Sequence, residues 1–297
     1  MKNFRDIANV YQETLSHLYP RGEIKQLFLM SYSFVTGKNN TDYLSNSADK
    51  ITETVSQQFM SILEELQTER PIQHILGIAD FYGLRLVVNE HTLIPRSETE
   101  ELVEWIVREH KRSEQLSILD VGTGSGCIAL ALKKNLPQAQ VDAIDLQTAA
   151  IKVARTNATN LNLSVNFIQA DILEWDDFMQ ENQQYDVIVS NPPYITPAEQ
   201  KDMHNNVLLY EPHIALFVEE QAPLLFYDAV AEMGKQHLSA GGNLYFEINQ
   251  YLSRETYDLL LKKGYEDVTL RQDLNQVDRM IKASSKVDCI KIGDSVK

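Results

Sequence analysis

The sequence predicts an α/β protein: a seven-stranded doubly wound sheet with its last strand antiparallel, preceded by a small N-terminal helical domain and a β-hairpin linker. Three observations carry this. Apolar residues recur at helical spacing through the first 70 residues or so. From about residue 98 onward, strand-like runs alternate with helical ones, the rhythm of a parallel sheet covered on both faces. Between the first of those strands and the helix after it stands a glycine-rich turn, where ligands sit in open sheets of this kind.

The N-terminal part reads as three amphipathic helices, through Phe4, Ile7, Tyr11, Leu15 and Leu18, then Ile24, Leu27, Phe28, Ser31, Phe34 and Val35, then Ile51, Val55, Phe59, Ile62, Leu63 and Leu66. Pro20-Arg21-Gly22 and Gly37-Lys38-Asn39-Asn40 break them, so a small bundle over residues 1–72 is expected. Over residues 73–97 the pattern shifts to short strand-like pieces, Ile78 to Tyr82 and Leu84 to Val88, hinged at Gly83 as in a hairpin. Residues 98–284 carry the sheet. Its strands are expected at Leu116 to Val121, Val141 to Asp145, Val165 to Gln169, Asp186 to Ser190 and Asn243 to Ile248. Two final runs, Asp267 to Leu270 and Arg279 to Ile281, are too close for a helical crossover, so the last strand enters antiparallel. Residues 285–297 read as a frayed tail.

With 297 residues and 43% hydrophobic content, the chain has enough apolar surface for a packed core plus a smaller unit. Its net charge of −15 is uneven: residues 1–75 hold seven basic and nine acidic side chains, leaving twenty against thirty-three for the rest. Such acidity repels phosphate backbones, so no direct nucleic-acid binding is expected, and a basic protein partner is easier to accommodate. Cys127 and Cys289 make no disulfide framework, and the chain shows neither a signal-peptide core nor a membrane-spanning run. A soluble cytoplasmic protein with no membrane association is the expectation.

The turn reads Asp120-Val121-Gly122-Thr123-Gly124-Ser125-Gly126, and a helix start follows at Cys127. Glycines let a ligand approach the backbone, and the new helix offers free amide hydrogens to an anionic group. A dinucleotide fingerprint would want its third small residue where Cys127 stands. The G-x-G-x-G spacing suits S-adenosylmethionine better, whose single carboxylate needs less room than a pyrophosphate. Another nucleotide, or merely a tight turn, is the competing reading. Asp145 closes the second strand, placed to accept ribose hydroxyls or else to cap a helix. Asp171 follows the third strand, within reach of an adenine amino group or else part of a solvated acidic face with Glu174, Asp176 and Asp177. Ile172 offers apolar surface to the adenine ring, or is ordinary core.

After the apolar strand Tyr185 to Ser190 comes Asn191-Pro192-Pro193-Tyr194. The prolines force an extended exit from the sheet and carry no amide hydrogen. The Asn191 side-chain oxygen and the Pro192 carbonyl therefore serve as acceptors, while the Tyr194 ring offers a flat face. Two acceptors and a face fit a planar NH2 group, adenine or carboxamide alike. Beside a methyl-donor loop, this pair specifies methyl transfer to nitrogen, with Asn191, Pro192 and Tyr194 as the catalytic candidates. No strong general base is needed, because the nitrogen's proton turns acidic only on alkylation. His74, His91, His204 and His213 are assigned structural or surface roles.

Over nearly its whole length the chain resembles the N5-glutamine methyltransferases that modify the Gly-Gly-Gln loop of peptide chain release factors. The likeness rests on Arg70 to Gly77, on Leu93-Ile94-Pro95-Arg96-Ser97-Glu98-Thr99-Glu100, on the glycine loop, and on Asn191 to Ile195. Glu211-Pro212, Ala215-Leu216, Gly241-Gly242 before Phe246-Glu247-Ile248, Asp273-Leu274 and Asp278-Arg279 add to it. The resemblance implies a Rossmann-like methyltransferase sheet and an N-terminal helical domain that helps recognise class 1 release factors. It implies S-adenosylmethionine held by Gly122, Thr123, Gly124, Ser125, Gly126 and Asp145; Asp171, Ile172 and Asn191 are expected beside the cofactor as well. The substrate glutamine would lie against Asn191, Pro192, Pro193 and Tyr194. S-adenosylhomocysteine would be the product; no metal is expected, and a monomer is. The chain departs from the family at Ser97, usually proline, at Asn249, usually glycine, and in Phe217 to Ala222, which lacks the usual glycines. Arg96-Ser97-Glu98-Thr99 reads either as a lining of the site or as a plain helix start with Ser97 as its cap, and the two are compatible. An adenine N6-methyltransferase acting on DNA or RNA, or a glutamine methyltransferase for a ribosomal protein, are the alternative functions.

Overall fold

The computed structural model describes residues 3–286; most of the expected tail, Cys289 included, lies outside the described residues. The chain divides into two compact units. One comprises residues up to Ile78 with Val88–Glu90 and Met203–Glu211, and the other the remainder.

In the first unit α1 (Phe4–Leu15) starts where the Asn3 side chain accepts the amide of Asp6, and α2 (Arg21–Thr36) stops at Gly37, whose φ of 70° ends the helix in the left-handed region. Next come α3 (Asp42–Asn46), α4 (Glu53–Leu66), capped by Thr52, and α5 (Ile72–Leu76). The three long helices stand where periodicity put them. The two short ones escaped it, because five residues span too little of a helical period to show an apolar stripe. The core is aromatic: Phe28 stacks on Phe59 with centroids 5.9 Å apart, and Phe4 and Tyr11 meet the cluster edge-on. Phe34 does not join it. Expected on the buried face of α2, it is exposed, and Tyr32 fills the inward position.

From Ala79 the second unit carries the hairpin of β1 (Ile78–Phe81) and β2 (Leu84–Val87), turned at Tyr82 and Gly83, both at positive φ as a two-residue hairpin turn requires. Then α6 (Ser97–His110) precedes β3 (Ser117–Val121), α7 (Cys127–Asn135), β4 (Gln140–Asp145), α8 (Thr148–Leu161) and β5 (Asn166–Gln169). The chain returns through β6 (Tyr185–Ser190), contributes α9 (Asn205–Tyr210) to the first unit, and finishes with α10 (Leu225–His237), β7 (Leu238–Glu247), α11 (Ser253–Lys262), β8 (Glu266–Gln272) and β9 (Asp278–Ser284).

The strand order is β5-β4-β3-β6-β7-β9-β8. Strands β3 to β7 pair in parallel, and β9 runs antiparallel between β7 and β8, so one strand of seven is reversed, as expected. Both faces are covered, and adjacent residues of one strand face opposite ways: Ile118 packs with α6 and α7 residues such as Ile106 and Leu130, and Leu119 with Tyr227, Phe246 and Ile281. The chain winds outward from β3 to β4 and β5, then returns to lay β6 on the other side of β3. That reversal opens a crevice at the carboxyl ends of β3 and β6.

Candidate active site

The glycine turn leaves β3 under tight backbone control. The amides of Gly122 and Thr123 both reach the Ile144 carbonyl at the end of β4, at 2.9 Å. Gly122 and Gly124 take φ of 75° and 55°, and a Cβ built on either would meet nothing within 4 Å. Open space beside two left-handed glycines is what a bound group needs for contact with backbone. Gly126 has a different task. At φ 82° its Cα lies so close to α8 that a Cβ would stand 3.2 Å from Ala154, so it lets helix and loop meet.

One cavity gathers the sheet's carboxyl edge. It is lined by Gly122 and Gly124 from the turn, Asp145 from β4, Asp171 and Ile172 after β5, and Asn191, Pro192 and Pro193 after β6. Four other predicted site residues sit behind this wall. Thr123 donates its hydroxyl to Asp120 at 2.6 Å; Ser125 is buried, with its carbonyl taken by Asn157; Gly126 packs on α8; and Tyr194 donates its hydroxyl to Glu247 at 3.0 Å.

Asp145 combines both of its readings. Its Oδ2 accepts the Gly124 amide and its Oδ1 the Gln147 amide, each at 2.8 Å, so it braces the turn and starts α8 while still facing the cavity. Burial raises its carboxyl above the ordinary value, against these two amide bonds. Asp171 accepts the Leu173 amide at 2.9 Å, starting the short 3₁₀ segment Ile172–Asp177. Ser190, last of β6, donates to the Val121 carbonyl at 2.7 Å and locks the two strand ends together.

Reasoning from the sequence missed the support behind Asn191. Its amide nitrogen donates to Thr99 Oγ1 at 3.2 Å, and Thr99 donates to Glu247 Oε2 at 2.6 Å. Both partners lie in segments that carry the family resemblance, the only signal that could have flagged them. The departures take part too. Asn249, buried, donates from its side chain to the Tyr194 carbonyl and to Glu199, each at 2.9 Å. Ser97 does not cap α6 as expected. The cap position is Arg96, and the exposed Ser97 hydroxyl turns to the Glu98 carboxylate. His91 lines the cavity with Thr92 and Leu93, and Phe226 with Ile214 closes another side; none was singled out for the site.

Among the described residues no helix is long and apolar enough to cross a membrane, and no group of three or more His, Cys, Asp or Glu side chains is placed to hold a metal ion.

The sheet order, the glycine turn and the shared cavity define a methyltransferase of the doubly wound class. In agreement, a family model described as the methyltransferase small domain matches residues 99–218, and the PrmC N-terminal domain matches residues 28–77. The chain is 44% identical over 96% of its length to the release factor glutamine methyltransferase of Flavobacterium psychrophilum, covering 99% of that protein. It is 39% identical over 94% of its length to the protein of that name from Bacteroides thetaiotaomicron, again covering 99% of it. The chain belongs to the release factor glutamine methyltransferase family. At the level of fold alone, it is similar to the T. thermophilus 16S rRNA methyltransferase RsmC in complex with AdoMet and guanosine, with a TM-score of 0.51, 16% identity, and coverage of 70% of this chain and 50% of that one.

Proposed function

We propose that the chain transfers the methyl group of S-adenosylmethionine to the side-chain nitrogen N5 of the glutamine in the Gly-Gly-Gln loop of class 1 peptide chain release factors. The observation that carries this is one cavity walled by the glycine turn and Asp145 on one side and by Asn191, Pro192 and Pro193 on the other. The open flank of Gly122 and Gly124 suits a ligand with a small anionic end, and Asp145 and Asp171 supply acceptors for its hydroxyl and amino groups. S-adenosylmethionine supplies the electrophilic methyl group when bound, and S-adenosylhomocysteine is the product; no metal enters the reading.

A carboxamide nitrogen is a weak nucleophile because its lone pair is delocalised. Asn191 Oδ1 and the Pro192 carbonyl hold its two N–H groups, fix the amide plane and turn the lone pair toward the donor. Approximation of two bound reactants lowers a barrier by roughly 7–11 kcal/mol. The proton lost after alkylation leaves to water, so the site needs no histidine. The Tyr194 hydroxyl is held by Glu247, which fixes the ring at the end of the tetrapeptide. The helical unit contributes to release-factor recognition. A cytoplasmic monomer that binds neither membrane nor nucleic acid completes the reading, in keeping with a net charge of −15.

The test is transfer of labelled methyl from S-adenosylmethionine to an intact release factor, with a factor whose loop glutamine is alanine as control. Label on the intact factor alone is expected; label on DNA, RNA or a ribosomal protein without the release factor sinks the reading. Asn191→Ala should lower kcat by on the order of 10²–10³ while cofactor Kd stays within about twofold. Normal turnover in that variant removes its role.

A further inference from the structure

We propose that Glu247 acts through Thr99 as a positioning residue that fixes which end of the Asn191 amide faces the substrate. This inference rests on the glutamine-methylating reading of the cavity and adds the device that gives it polarity.

A primary amide is ambiguous: one arm of its planar group only accepts and the other only donates, and either can face a partner. For a substrate NH2 the arm in the cavity must be oxygen. Asn191 cannot ensure this alone, since it leaves the sheet between Ser190 and a proline and its side chain is free to turn over.

The surroundings remove that freedom. Glu247, at the end of β7, is 2% exposed, and as a carboxylate it has acceptors only. Its Oε1 takes the Tyr194 hydroxyl at 3.0 Å and its Oε2 takes Thr99 at 2.6 Å. Thr99, itself buried, has one hydroxyl hydrogen, and that hydrogen is spent on Glu247. Toward Asn191 the Thr99 oxygen can therefore only accept, so the arm at 3.2 Å is the nitrogen. The oxygen is left for the cavity that Asn191 lines. With both of its oxygens taken up as acceptors, Glu247 thus dictates donor and acceptor along three side chains drawn from α6, β7 and the loop after β6. Burial raises the Glu247 carboxyl, against the hydrogen bonds from Thr99 and Tyr194 and the charge of Arg279, which favour the ionised form.

Replacing Glu247 by glutamine breaks the rule without changing shape. Its amide can now turn either way: when its oxygen faces Tyr194, its nitrogen donates to Thr99 and the Thr99 hydrogen is released to the Asn191 oxygen. In that arrangement the Asn191 amide presents NH2 to the cavity, donor against donor, so the fixed polarity is lost.

The experiment uses the full-length enzyme with an intact release factor, measuring kcat, KM, S-adenosylmethionine Kd and Tm for wild type, Glu247→Gln, Thr99→Val and Thr99→Ser. Glu247→Gln and Thr99→Val should lose roughly 10- to 100-fold in kcat/KM, the worth of a hydrogen bond to a charged group, with cofactor Kd within about twofold. Thr99→Ser, which keeps the hydroxyl, should restore most of the activity that Thr99→Val loses. A release factor whose loop glutamine is glutamate presents only acceptors, so it should inhibit Glu247→Gln more strongly than wild type. Thr99→Val as active as wild type, no recovery with serine, or equal inhibition of both proteins by the glutamate factor overturns the proposal. If Glu247→Gln fails to fold, the threonine pair still decides. Wild type that binds S-adenosylmethionine but leaves the release factor unlabelled defeats the functional reading instead.

Discussion

Asp120 shows how burial turns an ordinary carboxyl into a pH-sensitive group. Last but one in β3, it is fully buried, and desolvation lifts its pKa from 3.8 to about 7, against hydrogen bonds from Thr123 and the Ala129 amide that lower it. Asp145, lying nearby, raises it further. Because the folded value is above the unfolded one, the native state keeps a proton that the unfolded chain releases. Asp120 therefore favours folding most at acid pH, below the unfolded value, and that contribution is lost as pH rises through about 7. The slope is up to ~1.4 kcal/mol per pH unit between the two values. Asp120→Asn cannot titrate. In denaturant unfolding of the ligand-free protein it should shrink the stability difference between about pH 5 and about pH 8 by at least ~1 kcal/mol. A difference as large as in wild type would assign the effect elsewhere.

At the scale of elements, the helices and strands were legible because their signals are local. A stripe of apolar residues or a glycine after a strand is visible over ten to twenty positions, so the long helices, the hairpin and the seven sheet strands were readable. What failed depended on neighbours. Phe34 and Tyr32 are both aromatic and lie two positions apart on α2, and only the packing of α1 and α4 decides that Tyr32 turns inward. This separates two substitutions. Phe59→Ala opens a cavity inside the aromatic cluster and should cost about 3–5 kcal/mol. Phe34→Ala removes an exposed ring and should stay within about 0.5 kcal/mol of wild type. Equal losses in chemical denaturation would contradict the assignment of the inward face. Ser97 failed for a similar reason: cap chemistry needs the backbone to enter the helix one residue later than it does, and here Arg96 holds the cap position.

For the whole molecule, the chain forms two compact units, and the entire cavity belongs to the one that carries the sheet. Ligand binding to the native state alone stabilises that unit by mass action. S-adenosylmethionine at about 100 times its Kd should add ~2.7 kcal/mol to the sheet unit's unfolding free energy. The same rise should appear in Asn191→Ala, since the proposed function sets Asn191 on the acceptor side of the cavity. A variant that loses the rise along with turnover would show that the two halves of the cavity are not separable.

The sequence by itself determined the sheet, its reversed strand and the two motifs at its carboxyl edge, because each is written in a contiguous stretch whose chemistry is self-contained. Glycine permits left-handed backbone and proline withholds a hydrogen, whatever surrounds them. Only the tertiary structure decided the polarity of the site. Thr99 lies 92 residues from Asn191 and 148 from Glu247, and nothing in their local patterns pairs them. A hydrogen bond's direction depends on which groups have hydrogens to give once water is excluded, and that is known only when the three side chains stand together.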